Sequence, residues 1–375
     1  MVMLGDAADR IKVLLQGSNV TGPRRFSGPS LPRRENLRKL VALATLVVVE
    51  YPPTTIICDH ALPLRHRRFA LTELEGGTLV LILGCGYVGR RLASRLLDDR
   101  DSAGRLDPNE TLTCVARNPD PLQPLADDGA RVLALDLMQD ALAALPTAGE
   151  RVFHFAPPVG EDRQDSLTAR LVDAFQRLGH PRRLVYISTT GVYGDCGGAW
   201  VDESWPLRPL ADRSFRRLDA EQRLRAWSEA SGADLVILRV AGIYGPDRLP
   251  LARIKSGQPL VRLEDAPWSN RIHVDDLVEV CLAAVDRAPA GAVYNVCDGH
   301  PSTMTDYFFQ IADRVGLPRP PQIPMAAADG KLSPGMLSYM RESRRLSNRR
   351  MCDELGIRLR YPTLESGLAE LSPAD

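Results

Sequence analysis

The run from Leu79 to Leu97 leaves this chain few folds to choose from. It reads Leu-Val-Leu-Ile-Leu-Gly84-Cys-Gly86-Tyr87-Val88-Gly89 and continues as Arg-Arg-Leu-Ala-Ser-Arg-Leu-Leu. Five consecutive apolar residues suit a parallel strand buried on both faces. Three glycines then turn the chain directly into an amphipathic helix. In such a turn the first glycine permits the tight bend and the second lets a pyrophosphate approach the backbone. The third lets helix and strand pack closely. The N–H groups and positive end of the helix then face the phosphates. On this reading Gly84, Gly86, Tyr87, Val88 and Gly89 form a dinucleotide cradle. The alternative is a strand–helix turn that holds no ligand.

From residue 76 onward the pattern alternates. Strands are expected at 111–116, 130–135, 151–156, 183–188 and 234–240, with helices at about 165–178 and 214–231 between the later ones. Short apolar strands separated by helices predict an α/β protein: a Rossmann-type, doubly wound parallel sheet. Past Val240, proline-rich pieces alternate with helices near 275–286, 305–315 and 345–355, which suggests a smaller, irregular C-terminal lobe. The expected division is a dinucleotide domain over 76–245 and a substrate lobe over 246–375, with some return to the sheet. Residues 1–75 are rich in Arg and Pro and carry one apolar run, 40–49. Glu50-Tyr-Pro-Pro follows that run with no clear cleavage site, so a loosely attached or disordered extension is expected rather than a signal peptide.

Composition narrows the partners. With 47 basic and 47 acidic residues the formal charge is zero, which gives no electrostatic case for nucleic acid or a membrane surface. Seven widely spaced cysteines form no Cys-x-x-Cys pair, which points to reduced thiols in a cytoplasmic protein and to no metal site.

Strand ends carry the chemistry in such sheets. The second strand ends at Arg117-Asn118, where an acidic residue would hold the ribose 2′-OH of NAD and an arginine suits the 2′-phosphate of NADP. Arg117 therefore favours NADP over NAD. Asp136 closes the third strand and either reaches the adenine edge or caps a helix. Ala156 closes the fourth.

Four ordered segments then resemble one family: Leu184-Val-Tyr-Ile-Ser188-Thr189-Thr190-Gly-Val-Tyr193-Gly-Asp, Asp202-Glu203-Ser204, Leu238-Arg239 through Tyr244-Gly-Pro246, and Arg271-Ile-His273-Val-Asp275-Asp276. Arg344-Arg-Leu-Ser-Asn-Arg-Arg with Glu354-Leu-Gly356 adds a fifth. The chain resembles the extended short-chain dehydrogenase/reductase family, the NAD-dependent epimerase/dehydratase group, over about residues 78–370. The resemblance implies that Thr189, four residues before Tyr193, polarises the substrate, unless it is there simply as a strand-forming residue. It also implies a Tyr and a Lys four residues apart on the next helix, followed by a Glu. Counting back from Glu221 puts Arg217 at the Lys and Arg213 at the Tyr. An arginine stays protonated near neutral pH, so it binds anions but transfers no proton.

The departure resembles atypical members of the superfamily. Tyr193 is the nearest replacement proton donor, or else a packing residue; His273 reads as structural. Substrate contacts are expected from 194–202, from Tyr244–Arg253 and from the C-terminal lobe, with Arg248, Arg253, Lys255 and Arg262 as candidate anion contacts. The helix pair at 165–178 and 214–231 offers a homodimer face, as in relatives. Two functions remain: an NAD(P)-dependent oxidoreductase or epimerase of a sugar-like or phosphorylated small molecule, or a non-catalytic NADP-binding sensor or scaffold.

Overall fold

The computed structural model describes residues 79–100, 106, 110–160 and 162–370. The expected extension over 1–75, with its apolar run, lies outside the described residues.

Seven strands build the central sheet: β1 (Leu79–Leu83), β2 (Thr111–Ala116), β3 (Arg131–Ala134), β4 (Arg151–His154), β5 (Arg183–Thr189), β6 (Asp234–Val240) and β7 (Val293–Val296). Their order is β7-β6-β5-β4-β1-β2-β3, with each neighbouring pair parallel. The chain fills the sheet outward from β1 in one direction and then crosses to β4. Ligands bind such sheets outside the carboxyl ends of the strands at this reversal.

Alternation along β1 assigns its two faces. Val80 and Ile82 pack with Leu92, Ala93 and Leu96 of α1 (Tyr87–Asp98), whereas Leu81 and Leu83 join the apolar faces of α2 (Ser166–Leu178) and α3 (Asp212–Ser231). Both sides of the sheet are therefore covered, which is what an unbroken apolar strand requires. α3 stops at Gly232, whose left-handed conformation (φ +75°) closes the helix.

The chain after residue 245 returns to this sheet. α4 (Val274–Arg287) buries Leu277, Cys281 and Ala284 beside α1, and β7 adds the outermost strand on β6. Other parts of the lobe are built from two-stranded pairs and α5 (Met304–Arg314), whose Phe308 and Ile311 pack with Tyr244 and Leu260. The helix expected over 345–355 is shorter. Arg345–Leu346 pairs in parallel with Trp200–Val201, and helix starts only at Arg349. The Leu346 N–H is already donated to Asn270 Oδ1, so those backbone groups are satisfied across the chain rather than along it. Among the described residues no helix is long and apolar enough to cross a membrane.

Candidate active site

The glycine turn lies at the reversal of strand order. Gly84 adopts φ +81°, and a Cβ there would sit 2.5 Å from the Ala156 nitrogen at the end of β4. Gly89 is buried, with Ile82, Gly84 and Cys85 all within 3.4 Å of where its Cβ would be. Gly86 is different. It is exposed, and a Cβ added there meets nothing nearer than Gly84 O at 4.0 Å. The first and third glycines are thus required by the protein itself, whereas the second keeps open a space that the protein does not fill.

Behind that space starts α1, with no side-chain cap and no acidic residue in its first turn. α2 and α4, by contrast, are capped by Asp165 and His273. A helix start left open beside a glycine that no side chain covers fits the pyrophosphate of a dinucleotide. Val88 contributes only its backbone to this cradle, because its side chain packs into the core. The Tyr87 hydroxyl donates to Pro246 O at 2.7 Å, and the Arg91 guanidinium lies 4.0 Å over the Tyr87 ring, so α1 is tied to the 246 loop.

Arg117 is exposed directly after β2 and has no hydrogen-bond or ionic partner among the described residues. Asp136 is engaged locally: Oδ1 accepts from Met138 N at 2.8 Å, while Asp136 N donates to Asp140 Oδ2. These contacts close a turn over 137–139, and no helix starts there. Ala156 donates its N–H to Leu83 O and forms the wall against which Gly84 turns.

At the same carboxyl edge a cavity of about 600 Å³ opens between the sheet and the C-terminal lobe. Its floor is Pro157, Pro158 and Ile187–Gly191, and Val240–Ile243 form one wall. Thr189 ends β5 here. Its Oγ1 accepts from Gly191 N at 3.2 Å, which leaves the hydroxyl proton free to donate into the cavity. Arg217 also lines the cavity and donates to Ile187 O at 2.6 Å and to the Tyr186 hydroxyl at 3.1 Å. Arg213 stands one turn earlier on α3, bonded to Ser338 Oγ and stacked 4.3 Å over Tyr339. The two arginines counted from Glu221 therefore do face the same cavity as Thr189.

Tyr193 does not, and the proton-donor role expected for it is corrected. It is fully buried and absent from the lining. Its hydroxyl donates to Asn295 Oδ1 at 2.7 Å and accepts from Arg239 at 3.0 Å. Burial pushes its pKa up to about 12, against the pull of Arg239. The side chain belongs to a buried network whose centre is Arg239–Glu221: Nη2 to Oε2 at 2.9 Å and Nε to Oε1 at 3.2 Å, with Ser188 Oγ donating to the same carboxylate. Glu221 was visible as the end of a motif, but its partner, 18 residues away on β6, was not assigned.

His273 is likewise buried, accepting from Asp275 N at the start of α4 and packed 4.0 Å from the Tyr361 ring; desolvation lowers its pKa. The hydrogen bond with Cys114 and burial raise the Cys85 thiol, and burial raises the Cys196 thiol, which disfavours the thiolate at both.

The structure also re-sorts the expected substrate contacts. Arg248 reaches the cavity; Arg253, Lys255 and Arg262 do not, and neither does the 194–202 loop. The C-terminal lobe supplies Trp268, Arg271, Met304, Tyr307 and Tyr339–Met340, together with Glu342 and Arg344. Arg216, Arg271 and Arg344 were not singled out as anion contacts. They came to light only because separate segments converge on one space.

Comparison with known proteins agrees with this architecture. The NAD dependent epimerase/dehydratase family matches residues 80–297. Protein YeeZ of Escherichia coli (strain K12) is 30% identical over 230 residues, covering 61% of this chain and 74% of that protein. The 3-diazoavenalumate denitrifying reductase of a Streptomyces species is 29% identical over 212 residues, 54% of this chain and 68% of that protein. A solved structure of a functionally unknown conserved protein from Silicibacter pomeroyi DSS superimposes with a TM-score of 0.63 at 34% identity, covering 78% of this chain and 97% of that one.

Proposed function

The chain belongs to the NAD dependent epimerase/dehydratase family, and from that premise we propose that it is an NADP-preferring oxidoreductase of a sugar-like or phosphorylated small molecule. The observation that carries this reading is the uncapped start of α1 behind Gly86, at the edge of the sheet where the Thr189 cavity also opens. When bound, a nicotinamide cofactor supplies or accepts hydride. Gly84, Gly86, Gly89 and the first N–H groups of α1 would hold its pyrophosphate, Arg117 its 2′-phosphate and Arg217 its nicotinamide ribose.

Thr189 then polarises the substrate oxygen. Its hydroxyl accepts from Gly191 N, and its proton remains to be donated into the cavity. Arg213 and Arg217 keep their charge through the reaction and hold negative groups in place. They do not move protons, so the proton that balances hydride transfer comes from water reaching the open cavity. The Streptomyces relative, a reductase by name, supports reduction as the direction. A second reading, a non-catalytic dinucleotide-binding protein, draws its support from Arg213 at the proton donor's place and from the burial of Tyr193.

Titration of NADPH and NADH, followed by a turnover screen of aldehydes, ketones and nucleotide sugars, separates the two. Binding with turnover supports the enzyme, and binding without turnover the sensor. Failure to bind either nucleotide removes both readings. Two variants sharpen the result. Arg117→Asp is expected to weaken NADPH by roughly 10- to 100-fold, the worth of a charge-assisted phosphate contact, and to shift preference toward NADH, whose 2′-OH the new carboxylate can accept from. An unaltered NADPH/NADH ratio refutes the role of Arg117. Thr189→Val is expected to lower kcat by roughly 100-fold or more through loss of the donor. Thr189→Ser restores most of it, because the hydroxyl and its Gly191 bond return; equal rates in Thr189→Val and wild type would exclude Thr189 from the chemistry.

A further inference from the structure

The cavity is charged far out of balance for a chain of zero net charge. Arg213, Arg216, Arg217, Arg248, Arg271 and Arg344 line it, and the one carboxylate among the lining residues is Glu342. That carboxylate is already engaged by Arg344 at 2.8 Å. Most of these guanidiniums reach some solvent. Arg271 does not: it is 6% exposed.

Arg239 is the other buried arginine among the described residues, and both it and the half-buried Arg151 have carboxylate partners. Arg239 has Glu221, and Arg151 has Glu110. Arg271 makes no ion pair among the described residues. Its Nη1 donates to Asn270 O at 2.8 Å, and Nη2 has only the Met304 sulfur, a weak acceptor, at 3.4 Å. The Tyr307 ring lies 4.4 Å beneath the guanidinium and fixes its plane. Burial lowers the Arg271 pKa, and Tyr307, Asp298 and Asp306 support its charge from nearby. Neither carboxylate hydrogen-bonds or ion-pairs with it among the described residues, and burial pushes the Asp298 carboxyl up to about 7. A guanidinium desolvated without a full counter-charge is costly unless an anion completes it.

We infer that Arg271 is the anchor for the acidic group of the substrate, a compact organic carboxylate or phosphate monoester whose body lies in the cavity. This deepens the oxidoreductase reading and rests on it for the identity of the bound molecule as substrate. The rest of the lining suits such a body. Pro157, Ile187 and Ile243 offer apolar contact, while Trp268 and Tyr339, both largely exposed, flank the space with aromatic faces. Arg213, stacked on Tyr339, adds a second positive edge from α3. The position that gives relatives their proton donor thus serves charge recognition here.

The test uses the full chain saturated with NADPH, so that nucleotide binding is established first and independently. Cinnamate, phenyl phosphate and the neutral cinnamamide are then titrated by calorimetry. At least one acid is expected to bind 10-fold or more tightly than cinnamamide, and the tighter of the two identifies carboxylate or phosphate as the natural charge. Arg271→Gln is expected to reduce that affinity by roughly 10- to 100-fold while leaving the NADPH affinity unchanged. Arg271→Lys retains the charge without the planar fork and is expected to fall between the two. Should Arg271→Gln fail to fold, the lysine variant and the acid-against-amide comparison in wild type still decide. Equal binding of cinnamate and cinnamamide with no binding of phenyl phosphate, binding of neither acid, or an acid affinity indifferent to both substitutions overturns the assignment. Failure of NADPH to bind instead overturns the oxidoreductase reading.

Discussion

Glu221→Ala is expected to lower the stability of the folded chain by about 3–5 kcal/mol, a large share of the total for any domain. The side chains of Glu221 and Arg239 are 1% and 3% exposed, and two hydrogen bonds join them across the space between α3 and β6. Removing the carboxylate strands a buried guanidinium that Tyr193 and the Glu203 carbonyl satisfy only in part. Ser188 loses its acceptor in the same step. Arg239→Ala is expected to cost a similar amount for the converse reason. Replacing both at once, with Glu221→Leu and Arg239→Met, leaves no unpaired charge, so the double variant is expected to be more stable than either single one. Urea unfolding followed by circular dichroism checks this through the transition midpoints. Single variants within about 1 kcal/mol of wild type would show that the pair is solvated on demand and holds little together.

That network also shows where sequence reading stopped. Strands β1 to β6 and helices α1 to α5 were legible because buried strands read as apolar runs, amphipathic helices keep their period and the glycine turn announces its own geometry. The strand β7, four residues at the sheet's edge, was not assigned. Arg213 and Arg217 were found by counting along one helix from Glu221. Tyr193 was harder. Its position in the Gly-Val-Tyr-Gly segment suggests a residue at the cleft, but the short helical turn over Thr190–Tyr193 rotates the ring away from the cavity and under Arg239. Direction of that kind is set by tertiary packing, and no local pattern records it. Arg271 was equally invisible as a ligand contact. What marks it is a lack of counter-charge, and counter-charges come from segments distant in sequence. The error over 345–355 has the same origin: Arg345–Leu346 found strand partners some 145 residues earlier, and that pairing outweighed a helical composition.

Gly86→Val is expected to remove NADPH and NADH binding alike while leaving the fold intact. The expectation depends on the contrast among the three glycines. Gly84 and Gly89 cannot test ligand binding cleanly, since a Cβ at either presses on Ala156 or on Ile82 and the Gly84 carbonyl. At Gly86 an added Cβ meets no atom beyond its chain neighbours nearer than 4.0 Å, so a branched side chain is expected to extend into the open space in front of α1. There it excludes the pyrophosphate from the Tyr87, Val88 and Gly89 N–H groups. Charge-assisted contacts of that kind contribute about 1.5–3 kcal/mol each, so losing two weakens either nucleotide by roughly 100-fold or more. Thermal melting of the variant without nucleotide should match wild type, and only the nucleotide-induced rise in Tm should vanish. Both nucleotides share the pyrophosphate, whereas the 2′-phosphate is confined to one. Gly86→Val must therefore act equally on the pair, and Arg117→Asp must separate them. Retention of either nucleotide by Gly86→Val within about threefold of wild type, a difference under 1 kcal/mol, would place the dinucleotide away from this turn altogether.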